Sequence, residues 1–103
     1  MTWISHLPHA VATALARSAS RLAGRDAADV AGPDFLDTTR VAVRRSELAL
    51  ELALADPDAL AGAIDEVVEQ LRGLAGLLRR GDQKALRSFF EQAASVRKTF
   101  EKR

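Results

Sequence analysis

Apolar residues recur at three- and four-residue intervals along most of the chain, the repeat that gathers side chains on one face of an α-helix. In the first stretch Leu7, Val11, Ala14, Leu15 and Leu22 follow this repeat with Ser18 on the same face, predicting a helix over about residues 5–22. Ala10, Ala12 and Ala16 lie elsewhere around it and permit close packing on several sides. Gly24 and Asp26 end the pattern, and Gly32-Pro33-Asp34 marks a turn. A short helix is expected over 37–43 and a second over 46–55.

A sharp boundary follows. Asp56 suits an N-cap, Pro57 the first helical position and Asp58 the positive end of the helix dipole. The helix that starts there should reach Arg80, with Leu60, Ile64, Val67, Val68, Leu71, Leu74, Leu77 and Leu78 forming a wide apolar face. Gly73 and Gly76 interrupt it, either because another helix approaches closely or because the segment is loose; each costs roughly 1 kcal/mol relative to Ala when exposed. Arg79-Arg80 place cations at the negative helix end, Gly81 suits a left-handed cap, and Asp82 can cap the next helix. That last helix, 83–100, carries Leu86, Phe89, Phe90, Ala93, Val96 and Phe100 as its stripe. Antiparallel packing of these two helices gives a long αα-hairpin whose apolar faces are wider than one partner covers. The first helix, or the same hairpin of a second chain, must cover the remainder. The charged end "RKTFEKR" is expected to fray.

A length of 103 residues fits one domain. The chain is rich in Ala and Leu, has no Tyr and carries only four Phe and one Trp, which favours an all-α fold over sheets. A formal net charge of +1 gives no general attraction to nucleic acid or acidic membranes. With no cysteine, disulfides, thiolate metal sites and Cys nucleophiles are all excluded. No basic segment precedes a long apolar run, and no stretch approaches the roughly 18 apolar residues of a membrane span. The expectation is a soluble, cytoplasmic protein without nucleic-acid or membrane partners.

The candidate chemistry starts at "SHLPH", residues 5–9. If Ser5 caps the helix, Pro8 sits in the first turn and forfeits no intrahelical bond. If the helix enters from upstream, Pro8 opens the bonding near Ile4. His6 and His9 are three residues apart and so project from neighbouring positions, where both can reach one anion or polar ligand; the plainer alternative is that one packs and the other is exposed. Two imidazoles without a placed carboxylate make an incomplete metal site. The second candidate is Arg40 in "DFLDTTRVAV", flanked by Asp37, Thr38 and Thr39. Its guanidinium can present a planar fork to a carboxylate, or it can pair with Asp37 at i,i+3. Arg44-Arg45 reads most economically as a solvated pair. No dinucleotide fingerprint, P-loop or nucleophile elbow occurs.

"SHLPH" followed by "GPDFLDTTRVA" resembles the C-terminal helical domain of the prephenate and arogenate dehydrogenase family, and the likeness runs over essentially the whole chain. The resemblance implies a helical dimerisation and substrate-binding domain over residues 1–103, paired into an interlocked dimer like the C-terminal domain of 6-phosphogluconate dehydrogenase, with the family's N-terminal Rossmann domain absent from these residues. It implies NAD(P)-dependent oxidative decarboxylation of prephenate or arogenate in tyrosine biosynthesis, with NAD or NADP held by the nucleotide-binding domain and none by this chain alone. Carried over by motif, Ser5, His6 and His9 line the pocket near the nicotinamide and the substrate side chain, and Arg40 holds the ring carboxylate. No complete catalytic set lies in this chain, and no metal is implied. The sequence departs from the family at Leu36, where a basic residue is common, at Pro33-Asp34, and at Ala49, where a Trp is common. Two other readings remain: a helical homodimeric interaction module without catalysis, and a small helical chorismate mutase.

Overall fold

A computed structural model describes residues 2–24 and 32–101, the side chains of residues 2–5 excepted. All regular structure among the described residues is helical. Helix α1 spans Thr2–Ala23, α2 Pro33–Thr38, a 3₁₀ helix Arg40–Val43, α3 Ser46–Ala53, α4 Pro57–Arg80 and α5 Gln83–Thr99. The chain forms two compact units, Met1–Asp65 and Glu66–Arg103, with the boundary inside α4.

Sequence signals set most helix ends. Asp56 lies at the start of α4 and its Oδ1 accepts from the Ala59 amide at 3.4 Å, with Pro57 as the first helical residue. Gly81 adopts φ +65°, the left-handed conformation that closes α4, and Asp82 Oδ1 accepts from the Ala85 amide at 3.0 Å to cap α5. Gly24 has φ +60° directly after α1. Asp26, expected to help end α1, lies outside the described residues.

Four expectations change. α1 begins at Thr2 rather than Ser5, so Pro8 is inside the helix and has no N–H to offer the Ile4 carbonyl. Gly32-Pro33-Asp34, read as a turn, instead starts α2: Gly32 is the extended N-cap, Pro33 occupies the first turn, and Asp34 faces the positive helix end. The single short helix expected over 37–43 is two elements that meet at Thr39. Of the charged terminus, residues 97–99 are helical and Arg97 Nη1 pairs with Glu101 Oε2 at 2.8 Å, while residues 102–103 lie outside the described residues.

In the first unit α1 packs closely on the 3₁₀ helix, and α2 also meets that helix. Ala12 and Leu60 are the buried apolar residues described, 1% and 8% exposed. In the second unit Val67 is half-buried, and the other half-buried residues cluster around the turn: Leu74, Ala75, Gly76 and Leu77 before it, Ala85, Leu86 and Phe89 after it. Phe89 lines one shallow depression with Gly73, Gly76 and Leu77. Every residue from Phe90 to Glu101 is exposed. Within this unit the burial expected along the α4–α5 hairpin is greatest near the turn. Gly73 has open space where a Cβ would stand, and Gly76 has only the tip of the Arg80 side chain at 3.6 Å, so within this unit no described residue packs tightly on either glycine.

Candidate functional site

The i,i+3 relation of His6 and His9 places both imidazoles along one side of a cleft of about 370 Å³ in the first unit. Ala10 and Thr13, each four residues beyond one of the histidines, continue that wall of α1. The wall from α3 is Ala49, Leu50, Leu52 and Ala53, and the first turns of α4 add Leu60 and Ile64. The cleft is thus apolar on the α3 and α4 sides and polar on the α1 side.

The third polar component is Arg44, which lines the same cleft and is half-buried. Two backbone features put it there. The 3₁₀ helix is held against α1, and Arg44 ends it with its amide donating to the Val41 carbonyl at 3.3 Å. Arg44 and Arg45 are then both extended, at φ −57° with ψ 146° and 138°, which carries the chain over to α3. Arg45 is exposed. The reading of the two arginines as one solvated pair therefore holds for Arg45 only. Among the described residues no ion pair neutralises Arg44.

These neighbours act on His9. Burial in the cleft disfavours its imidazolium and pushes its pKa below the ordinary 6.5, and the positive charges of Arg44 and then His6 act in the same direction. A neutral imidazole at neutral pH keeps one N–H donor and one acceptor nitrogen. Thr13 adds a hydroxyl whose buried Oγ1 has no hydrogen-bond partner among the described residues. Leaving such a group unpaired costs about 1–3 kcal/mol, so the α1 wall has hydrogen-bonding capacity to spare.

Arg40 is placed differently. It is exposed and is not among the residues that line this cleft. The hydroxyls expected to surround it are engaged elsewhere: Thr38 Oγ1 donates to the Asp34 carbonyl at 2.7 Å and Thr39 Oγ1 to the Phe35 carbonyl at 2.8 Å. Thr39 is 8% exposed and anchors the junction of α2 with the 3₁₀ helix. The alternative i,i+3 pair of Arg40 with Asp37 is not formed among the described residues. Ser5 lies on the backbone of α1 one turn before His9.

The structure thus joins His6 and His9 with Arg44, a residue that helical periodicity does not place. One available signal was the break in pattern at residues 44–45, since a link between two helices can turn a long side chain back toward an earlier element. A family profile described as "Prephenate dehydrogenase, dimerization domain" matches residues 1–92, from α1 into α5, and so includes every element of the cleft. An all-α chain matched over that length belongs to the prephenate dehydrogenase dimerization domain family.

Proposed function

We propose that this chain supplies the dimer interface and part of the substrate pocket of an NAD(P)-dependent prephenate or arogenate dehydrogenase. The observation that carries the reading is the cleft itself: His6 and His9 of the "SHLPH" motif stand side by side over an apolar wall, within a domain of this family. An apolar wall facing a few convergent polar groups is the general form of a small-molecule site.

In this reading NAD(P)+, held by a nucleotide-binding domain outside these residues, accepts hydride from the substrate ring as carbon dioxide leaves and the ring becomes aromatic. The chain's own residues bind and orient. Neutral His9 donates or accepts one hydrogen bond at the substrate side chain, and His6 stands beside it. Ser5 belongs to the same group by its position in the motif. Arg40, exposed on the 3₁₀ helix, holds the ring carboxylate from the side that another domain or subunit closes. A guanidinium in water gains little from one carboxylate, so this role requires that a partner surface exclude solvent there.

Homodimer formation is part of the proposal. Leu71 and Leu78 on α4, Phe90 and Val96 on α5 and Phe100 at its C-cap are exposed, a larger apolar surface than a soluble helix leaves in water without a partner. The same exposure favours the second reading, an interaction module without catalysis. The two readings separate in one experiment: this chain is combined with a nucleotide-binding domain of the family and NAD(P)H formation is followed with prephenate and with arogenate. Turnover that His9→Ala and Arg40→Ala reduce supports the dehydrogenase. A dimer that gives no turnover, in a system where the joined protein is active, leaves the interaction module.

A further inference from the structure

We infer that Arg44 makes the cleft of His6 and His9 select a 2-oxo-acid side chain, which carries only negative charge, over the ammonium-bearing side chain of an amino acid. The inference rests on the dehydrogenase reading in one respect: applied to that reaction, it makes the substrate prephenate rather than arogenate.

Charge and hydrogen-bond type both point this way. Among the described residues the charged and titratable groups lining the cleft are Arg44, His6 and His9, with no carboxylate. An ammonium group entering the cleft would meet the Arg44 cation and no anionic partner among the described residues, which is costly in a half-buried setting. A pyruvyl group has net charge −1 and offers a carboxylate and a keto oxygen, all acceptors. The guanidinium can meet the carboxylate with two parallel N–H donors. An imidazole N–H is a further donor on the α1 wall. The alanyl group of an amino acid is a zwitterion, so the Arg44 charge gains on its carboxylate and loses on its ammonium.

The backbone that carries the guanidinium is also held in place. Arg44 follows a 3₁₀ helix packed on α1, and its extended backbone leads directly into α3, so both walls of the cleft fix its origin. Arginine stays charged throughout the accessible pH range, so the selectivity does not require protonation of either imidazole.

The first test uses this chain and two stable probes, phenylpyruvate and L-phenylalanine, which share a ring and differ in the side-chain group. The imidazole signals of His6 and His9 are followed by NMR as each probe is added. The expected result is a saturable shift with phenylpyruvate at about tenfold or more higher affinity than phenylalanine, the size of one charge-assisted hydrogen bond. Arg44→Gln should abolish the preference and Arg44→Lys should restore part of it. Absence of a saturable shift with phenylpyruvate, equal affinity for the two probes, or an unchanged preference in Arg44→Gln overturns the inference. The second test uses the assembled dehydrogenase. Arg44→Gln should raise KM for prephenate roughly tenfold with little change in kcat. Preferred oxidation of arogenate overturns the assignment. If neither compound is oxidised while the NMR preference holds, the dehydrogenase reading fails and the anion-selective cleft stands.

Discussion

Arg44 and His9 share one cleft although they come from a helix link and from the second turn of α1, and the guanidinium lowers the proton affinity of the imidazole. Burial is the larger cause and the charge of His6 the smallest, so removing the guanidinium should move His9 only part of the way back. NMR titration of the two histidines should give His9 a pKa below 6.5, and Arg44→Gln should raise it without restoring it fully. A His9 that titrates at or above its ordinary value would contradict the placement of Arg44.

The same relationship sets a pH dependence of stability. Because the folded pKa of His9 lies below the unfolded value, the unfolded chain binds the proton first as pH falls. The stability associated with neutral His9 is complete above pH 6.5 and is lost as pH falls from there through the lowered folded value. Urea unfolding at fixed protein concentration should show this loss, and His9→Gln should remove that part of the slope.

Thr38 and Thr39 make the same kind of bond, but Thr39 is buried and Thr38 is exposed. Thr39→Ala leaves a buried junction without its anchor and should cost about 1–2 kcal/mol. Thr38→Ala should cost less than about 0.5 kcal/mol, because water replaces the lost bond. Equal costs in chemical denaturation would mean that the start of the 3₁₀ helix is not held by Thr39.

The turn between α4 and α5 has two separable supports. Asp82→Ala removes an N-cap hydrogen bond of 3.0 Å and should destabilise α5 by about 1 kcal/mol. Gly81→Ala meets nothing within 4 Å of the added Cβ, so its cost is purely conformational at φ +65° and should be about 1–2 kcal/mol. Hydrogen exchange in the first turn of α5 should report the first change, and thermal unfolding should report both.

The helix boundaries were legible where the residues at an end have one chemical use. Asp56-Pro57 and Arg79 to Asp82 fix α4 at both ends, because a capping carboxylate, a proline without its N–H and a left-handed glycine each suit a single position. Gly32-Pro33-Asp34 was ambiguous, since the same three residues make a turn or an extended cap followed by a first helical turn. Pro8 was ambiguous for a related reason: the pattern of apolar residues does not reveal that the helix continues upstream to Thr2. The adjacency of His6 and His9 follows from helical spacing alone. The position of Arg44 does not, because an extended link has no periodic face and the imidazoles it meets are more than thirty residues earlier in the chain. The stripes of α4 and α5 were likewise legible as apolar, yet periodicity does not identify what covers them.

Those stripes form the surface on which a second copy of the chain is expected to dock. Val68, Leu71 and Leu78 on α4, Phe90 and Val96 on α5, and Phe100 at its C-cap are all exposed in the single chain. A second copy that buries them gains about 25 cal/mol for each Å² of apolar surface removed from water. Leu71→Asp and Phe90→Asp each place a charge in that interface and should raise the dissociation constant by about a hundredfold or more, while leaving helix content intact.

Sedimentation equilibrium of the purified chain at micromolar concentration tests this most directly. A mass of twice 11.1 kDa, reduced to the single-chain value by Leu71→Asp or Phe90→Asp, is the predicted result. A wild-type chain that stays at 11.1 kDa, or a dimer that neither substitution weakens, would contradict it.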